Sequence, residues 1–365
     1  MQYGPASTVE QSMTRNPASG PGAGDSTIDA MVVVGRALED APERHPPRSR
    51  ASIGRMTDDA MAHRPTLMTI HAHPDDETIG TGGTMARTVA DGKRVVLVTG
   101  TRGELGEIVV PDMDTDDNHR RLGEIRAGEL ERAMGRLGVT EWENLGYRDS
   151  GMMGTDGNHD PRSFWQADLD EAAGRLTWLI RQYRPDVVTT YNSFGGYGHP
   201  DHIRVHDVAV RAFDRAGDPA WYPEQLDGTG LEPWAPAKLY EQAMAASLRN
   251  RMAERMRELG KKSWWEPPED ATPEQIAEME EFAKKMLTPD EAITTRIDIG
   301  GAPFDAKFAA LKEHVTQIGP ENPFLAVGPE VWREFGSQET YILRESRVES
   351  ALPETDLFAG IDTGG

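Results

Sequence analysis

The 365-residue chain contains no cysteine. This absence excludes disulfide bonds, cysteine nucleophiles and thiolate ligands, so any bound metal must be held by histidine and carboxylate side chains. The sequence also has no run of about 18 apolar residues, which argues against a membrane-spanning helix. Its N-terminus lacks the basic and apolar segments of a secretory signal. We therefore expect a cytoplasmic protein without a membrane span.

Basic residues are outnumbered by acidic ones. The 39 lysines and arginines face 61 aspartates and glutamates, which gives a formal net charge of −22. A field of this sign repels nucleic acids and anionic membranes, so neither is expected as a partner. A small-molecule substrate fits this surface better, and the sequence leaves open whether the chain forms a homo-oligomer.

The chain changes character near residue 65. Residues 1–64 are rich in proline, glycine, serine and threonine, a composition that predicts a disordered tail. From residue 65 onwards, segments typical of strands and helices alternate, which predicts an α/β fold with parallel strands and flanking helices. The predicted strands are 66–72, 94–99, 186–191 and an edge strand at 295–299, and the predicted helices are 78–91, 119–137, 168–183, 202–216 and 304–315.

Residues 243–290 form a separate, charge-rich and methionine-rich segment. Its pattern predicts a helical insertion near the C-terminal part of the fold, interrupted at Trp264-Trp265-Glu266-Pro267-Pro268. An amphipathic lid or a contact between copies of the chain is the simpler interpretation, and contact with substrate through the aromatic break is the alternative.

Two polar segments follow predicted strands. Residues 73–77 (His-Pro-Asp-Asp-Glu) come directly after the first strand, and residues 195–202 (Gly-Gly-Tyr-Gly-His-Pro-Asp-His) follow strand 186–191. Ligands of open α/β sheets bind beyond the carboxyl ends of the strands. We therefore expect both segments at one edge of the sheet, around a common site.

The residue types in these segments suit a metal-dependent hydrolase. A hydrolytic zinc ion needs three protein ligands and one open position. His73 and Asp76 can converge across a tight turn, and His202 can complete the set. Asp75 then lies beside the metal, where it can take a proton from water, and His199 can act as general acid or stabilise an oxyanion. The structural alternative is that these residues only hydrogen-bond and cap helices, but capping does not explain both segments.

Two other patterns are weaker. His202 and His206 have the i, i+4 spacing of a zincin helix, yet position 203 is isoleucine instead of the glutamate that such a site needs as base. His206 is therefore expected to pack or to support the site indirectly. The glycines at 80, 82 and 83 resemble a dinucleotide-binding loop, but its last glycine is replaced by Met85.

The two polar segments resemble the signature motifs of the GlcNAc-phosphatidylinositol de-N-acetylase (LmbE-like) superfamily, and the resemblance covers about residues 65–360. It implies a Rossmann-like, mostly parallel sheet and a hydrolase that cleaves an amide with the help of Zn²⁺, or of Fe²⁺ as the alternative. Within this superfamily the chain is similar to two groups of mycothiol enzymes, the N-acetylglucosaminyl-inositol deacetylases and the mycothiol S-conjugate amidases. Both groups cleave the amide on the 2-amino group of a glucosamine, which implies an amino-sugar substrate.

The resemblance also implies roles for individual residues in catalysis. It makes Asp75 the general base, His199 the acid or oxyanion partner and Tyr197 a mobile donor to the scissile carbonyl. Asp201 is expected to support His199. The implied metal ligands are His73, Asp76 and His202.

Four further residues match less specific parts of the family pattern. Glu107 is expected to face the sugar, Arg126 to reach the inositol, and Asp149 and Met152 to belong to a sugar-contacting loop. A surface salt bridge with Glu129, three residues on along the same helix, is the alternative for Arg126.

The segments divide between the two groups of enzymes. Residues 149–152 favour the deacetylases, whereas residues 234–240, 243–290, 314–318 and 353–360 favour the amidases. Deacetylation of another N-acetylated sugar or of a secondary-metabolite glycoside is a further alternative. A non-catalytic sugar-binding protein would be expected to lose Asp75 or a metal ligand, and this sequence keeps them all.

Overall fold

A computed structural model describes residues 63–362, apart from residues 262–265, 269, 321, 323–324 and 326. The predicted tail, up to residue 62, and the two tryptophans of the aromatic break lie outside the described residues. Among the residues that are described, no helix combines the length and the apolar character needed to cross a lipid bilayer.

The centre of the fold is a seven-stranded sheet, counted over the described part of the chain, with the order β3-β2-β1-β4-β5-β7-β6. The first five strands in this order are parallel, and β7 runs antiparallel to both of its neighbours. The predicted α/β fold with a mostly parallel sheet is confirmed, and the predicted edge strand is β6. The strands are β1 Thr66–His71, β2 Arg94–Thr99, β3 Glu141–Asn144, β4 Val187–Thr190, β5 Lys238–Ala243, β6 Thr295–Asp298 and β7 Gln338–Ser346.

Helices cover both faces of the sheet because successive strand residues point to opposite sides. In β1, Leu67 packs with the core formed by α1, α3 and α9, whereas Met68 and Ile70 pack with the core formed by α4 and α6. The described helices are α1 Asp76–Ala90, α2 Asp116–Arg120, α3 Leu122–Leu137, α4 Leu169–Tyr183, α5 Gly195–Gly198, α6 Pro200–Arg215, α7 Ala246–Glu258, α8 Pro273–Met286, α9 Ala302–Leu311 and α10 Gly328–Gly336.

The structure differs from the predicted elements in several places. The predicted helix 119–137 is two helices, because Arg121 leaves the helical conformation at φ −110° and ψ 11°. The predicted insertion contains α7 and α8. Strands β3, β5 and β7 were not predicted. β3 alternates exposed and half-buried residues, and charged residues flank the short apolar run of β7, so neither has a strong strand signal.

A buried ion pair ties β5 to the C-terminal segment. Lys238 Nζ lies 2.5 Å from Glu354 Oε1, and both side chains are fully buried. The Oε2 atom of Glu354 accepts hydrogen bonds from Tyr240 Oη at 2.5 Å and Thr295 Oγ1 at 3.1 Å. Because a buried charge without its partner is strongly unfavourable, this pair should matter for the stability of the fold.

We predict that Glu354→Gln lowers the free energy of unfolding by about 3–5 kcal/mol, since it leaves the Lys238 ammonium buried without a counter-charge. Equilibrium unfolding in urea measures this loss. Glu281→Gln is the control, because it removes an exposed pair with Lys284 on α8 and should leave stability almost unchanged. Equal losses in the two variants would contradict the prediction.

Candidate metal and catalytic site

The candidate site lies where the strand order reverses direction. From β1 the chain proceeds outwards to β2 and β3, and then returns to place β4 on the other side of β1. Such a switch point opens a crevice at the carboxyl ends of the two central strands. The two predicted polar segments follow β1 and β4, so the topology brings them to the same crevice.

The turn after β1 places two carboxylates at the start of α1. Asp75 has φ 127° and ψ −36°, a backbone conformation that L-residues rarely adopt. Its N–H donates to Glu77 Oε2 at 2.8 Å, and the N–H of His73 donates to Asp76 Oδ2 at 2.9 Å. The acidic side chains lie in the first turn of α1, where the helix dipole favours negative charge.

The turn after β4 brings a second set of side chains to the crevice. A Cβ atom on Gly195 would lie 2.7 Å from the Cβ of His202, so only glycine fits there. Pro200 begins α6, and His199 caps this helix by accepting a hydrogen bond from the N–H of Asp201 through Nδ1 at 3.1 Å. Tyr197, carried by the glycine-rich turn, places its Oη 3.4 Å from His202 Nε2.

The two turns converge on one carboxylate oxygen. Asp76 Oδ2 lies 3.3 Å from His73 Nδ1 and 3.2 Å from His202 Nε2. Neighbouring ligands of a tetrahedral zinc ion, with bonds of about 2.0–2.1 Å, are about 3.3 Å apart. Ligand atoms of His73, His199 and His202 also lie within 4.8 Å of one another. The ligand atoms of His73, Asp149, His199 and Asp201 meet the same distance, so the buried nitrogen and oxygen donors around His73 could hold a divalent metal ion.

Charge in this cluster favours a cation. Burial opposes ionisation of Asp76, but His202 and His73 hold the pKa of its carboxyl well below the usual value. Burial also disfavours a charged His73, but Asp149, Asp201 and Asp76 raise the pKa of its imidazole well above the usual value. The buried carboxylates thus favour positive charge next to them, which a metal ion can supply.

Asp201 contacts a different histidine from the one expected. Its Oδ2 lies 3.1 Å from His73 Nε2 and accepts a hydrogen bond from the N–H of Ser150 at 3.0 Å. The link to His199 comes from the backbone N–H of Asp201 instead. The expectation that the Asp201 side chain supports His199 is corrected: this carboxylate orients His73.

His199 is neutral in this arrangement. Burial, followed by the neighbouring His73 and His202, lowers the pKa of its imidazole to about 2. Because Nδ1 accepts the hydrogen bond from Asp201, the neutral ring carries its proton on Nε2. His199 can therefore donate a hydrogen bond while uncharged.

Arg126 is held beneath the turn that carries Asp75. Its Nη2 lies 3.2 Å from Asp75 Oδ1 and donates to the carbonyl of Pro74 at 2.7 Å. The residue is only 3% exposed. The alternative of a surface salt bridge with Glu129 is wrong, because Glu129 instead accepts hydrogen bonds from Thr316. Burial raises the pKa of the Asp75 carboxyl to about 6, while Arg126 acts in the opposite direction.

The other expected substrate residues lie on loops, and Asp149 is the one with a contact to the cluster. Asp149 Oδ1 is 3.6 Å from His73 Nε2, and its Oδ2 accepts a hydrogen bond from the N–H of Leu105 at 3.0 Å. Asp149 therefore joins the loop after β2 to the cluster. Glu107 and Met152 are both exposed to solvent.

Three residues contact the site residues without having been predicted to do so, although Ser150 belongs to the expected sugar-contacting loop. Ser150 donates its N–H to Asp201, the ring of Tyr191 stacks on His202 with centroids 4.2 Å apart, and His314 Nε2 lies 2.9 Å from Glu77 Oε1. Tyr191 was predicted only as the last residue of a strand. His314 is 237 residues from Glu77 in the chain, so spacing gave no indication of this contact. Burial disfavours an ionised Glu77, but His314 lowers the pKa of its carboxyl.

Solved structures with a similar fold carry different activities in their names. The N,N'-diacetylchitobiose deacetylase of Pyrococcus horikoshii matches with a TM-score of 0.51 and 20% identity over 76% of this chain and 83% of its own. GalB, the 4-carboxy-2-hydroxymuconate hydratase of Pseudomonas putida, also reaches 0.51, with 20% identity over 79% of this chain and 99% of its own. These likenesses support the fold, and the fold alone does not decide the reaction.

Sequence relatives are much closer. A protein of Geodermatophilus obscurus is 43% identical over 302 residues, which cover 81% of this chain and 97% of that protein. One of Streptomyces avermitilis is 44% identical over 316 residues, again 81% of this chain and 97% of its own length. Both are named 1D-myo-inositol 2-acetamido-2-deoxy-alpha-D-glucopyranoside deacetylase.

The match to the family described as PIG-L, GlcNAc-PI de-N-acetylase, extends over residues 68–213. This range contains both polar turns and every group of the metal cluster. With the near full-length relatives, it establishes that this chain is an amide-hydrolysing enzyme of the GlcNAc-PI de-N-acetylase family.

Proposed function

We propose that this protein is a zinc-dependent deacetylase that hydrolyses the acetamide on the 2-amino group of a glucosamine joined to myo-inositol. The observation that carries the proposal is the convergence of Asp76 with His73 and His202, with Asp75 beside them. The names of relatives that are 43% and 44% identical support the choice of substrate. A cytoplasmic location is part of the same proposal.

His73, Asp76 and His202 would hold the metal ion. When bound, the metal acts as a Lewis acid that activates water and polarises the amide carbonyl. Two histidines and one carboxylate without a thiolate suit zinc, and the same donor set also binds Fe²⁺. We infer zinc, with iron as the alternative in the cell.

Asp75 is the proposed general base. Asp75 directly precedes Asp76 in the chain, and Arg126 Nη2 lies 3.2 Å from its Oδ1 atom. A carboxylate fixed in this way can accept a proton from the attacking water without losing its orientation. The oxygen of that water then forms a bond to the carbonyl carbon of the substrate.

Two donors on the turn after β4 are proposed to stabilise the negative charge on the carbonyl oxygen. His199 can donate from Nε2, and Tyr197 can donate from its hydroxyl group. As the carbon–nitrogen bond breaks, the amine takes the proton that Asp75 accepted from the water, since a neutral His199 can donate a hydrogen bond but would become an imidazolate if it gave up its proton. The products are acetate and the free amino sugar, so one water molecule is consumed.

Cleavage of a mycothiol S-conjugate is the second candidate activity. It would break the same type of amide, with a larger acyl group than acetyl. The half-exposed ring of Phe282, on α8, lies 6.0 Å from that of Phe194, which directly precedes the turn with Tyr197. These two rings form an apolar surface beside the site, which a larger acyl group could contact.

The first prediction for this function compares substrates. Acetate release from N-acetylglucosaminyl-inositol should have a kcat/KM at least about tenfold above that of simple N-acetylglucosamine, because inositol adds binding contacts. A bimane conjugate of mycothiol, assayed in parallel, measures the amidase activity. A higher kcat/KM for the conjugate would assign the second candidate activity, and preference for simple N-acetylglucosamine would contradict inositol recognition.

A second prediction concerns the metal ligands. His73→Ala and His202→Ala should each lose bound zinc and activity together, since two remaining ligands hold a metal too weakly. Metal content per chain, measured by mass spectrometry, checks this. His206→Ala is the control: it lies on the same helix but pairs with Glu241, and it should retain the metal. Full metal content in either ligand variant would refute the assignment.

A third prediction separates the base from the adjacent ligand. Asp75→Asn should keep the metal but lose about 10²–10⁴-fold in kcat, the usual contribution of a general base. Asparagine tolerates positive φ, so the turn should persist. Asp76→Asn should instead empty the site. Loss of metal in Asp75→Asn with retention in Asp76→Asn would mean that the two roles are exchanged.

A further inference from the structure

We propose that His314 is a positioning residue that acts through Glu77 to fix the backbone of Asp75. The inference rests on the proposed function, in which Asp75 is the general base. His314 belongs to the segment 314–318, which lies far along the chain from both polar turns. Two hydrogen bonds in series, through Glu77, connect this segment to Asp75.

Asp75 needs external support because its backbone is strained. Its φ of 127° is positive, although it is not a glycine. Residues held in such conformations persist only where several surrounding contacts fix them, and they occur often at active sites. One such contact is the bond from the Asp75 N–H to Glu77 Oε2, at 2.8 Å. The position of the Glu77 carboxylate therefore helps to determine the conformation of Asp75.

His314 holds the other oxygen of that carboxylate. Its Nε2 lies 2.9 Å from Glu77 Oε1, and the Thr78 hydroxyl donates to the same oxygen at 2.5 Å. Both Glu77 and His314 are fully buried, with 0% of their surface exposed. A buried carboxylate requires such donors to stay ionised and in place. Without His314, Glu77 Oε1 would lose the imidazole N–H that lies 2.9 Å away.

The segment of His314 is itself anchored to α3. Thr316 donates its N–H and its hydroxyl to the two carboxylate oxygens of Glu129, at 2.8 and 2.7 Å. The N–H of Ile318 donates back to the carbonyl of His314 at 2.8 Å. Arg126, three residues before Glu129 on α3, contacts Asp75 directly. One helix thus supports both the side chain and, through His314, the backbone of Asp75.

His314 cannot take part in the chemistry itself. It is fully buried, and Glu77 lies between it and Asp75. Its effect must therefore pass through Asp75, by the hydrogen bonds that fix the turn and by its charge, which opposes the effect of burial and acts to lower the pKa of the Asp75 carboxyl. The hydrogen bonds are the part that glutamine at position 314 can keep. Loss of a supporting hydrogen bond around a catalytic group typically costs about 10–100-fold in activity.

The test compares His314→Leu with His314→Gln in the full-length protein loaded with zinc. Leucine removes the donor and should lower kcat by about 10–100-fold, with KM and zinc content unchanged. Glutamine can still donate an N–H to Glu77 and should restore most of the lost kcat. Hydrogen exchange of the peptide containing Asp75 should be faster in the leucine variant and close to wild type in the glutamine variant.

His206→Leu is the matched control. It also removes a buried histidine–glutamate contact, the one to Glu241 at 3.0 Å, but outside the site. Its kcat and the exchange of the Asp75 peptide should stay at wild-type values. Any stability loss common to the two leucine variants can then be separated from an effect on Asp75.

Two results would overturn the proposal. One is wild-type exchange of the Asp75 peptide, or wild-type kcat, in His314→Leu. The other is equal loss of kcat in the leucine and glutamine variants together with loss of zinc, which would indicate general damage to the fold. If the wild-type protein hydrolysed none of the N-acyl sugars, the proposed function would fail, while hydrogen exchange would still decide whether His314 fixes Asp75.

Discussion

The strained turn at Asp75 is the constraint on which the site depends. Two consecutive carboxylates repel each other, yet the chain needs both within one crevice. The positive φ of Asp75 lets their paths diverge: Asp75 turns to Arg126, and Asp76 turns to the histidine pair. The helix dipole of α1 and the cationic partners offset the repulsion. The positive φ of Asp75 thus accompanies the separate contacts of the two carboxylates, on which the proposed roles of base and ligand depend.

Contacts from several neighbouring elements hold this turn in place. The switch point between β1 and β4 brings His202 to Asp76, and the loop after β3 provides Ser150 and Asp149, which hold Asp201 and His73 in place. Helix α3 contacts the turn directly through Arg126 and indirectly through Glu129, which binds the segment 314–318. A fold alone does not decide a reaction, so the chemistry of this site must depend on these local contacts.

Prediction succeeded where the signal was local. The alternation of strands and helices predicted the α/β fold, and the two polar segments after β1 and β4 lie close together in the structure. Prediction failed where a contact spans the chain. The surface salt bridge weighed for Arg126 was inferred from helix spacing alone, but tertiary packing buries this residue against Asp75. Strand β7 has only a short apolar run, residues 341–343, between charged residues, and its place between β5 and β6 comes from tertiary packing.

The sequence by itself determined the donor types, the absence of thiolate chemistry, and the positions of the two turns, because these depend on residue identity and on neighbours a few places away. The tertiary structure alone decided which carboxylate serves which histidine. Asp201 lies two residues from His199 in the chain, but its side chain reaches His73. His314 meets Glu77 only after the strands and helices between them have packed. Hydrogen bonds act over about 3 Å in space, and distance along the chain does not predict which groups come that close.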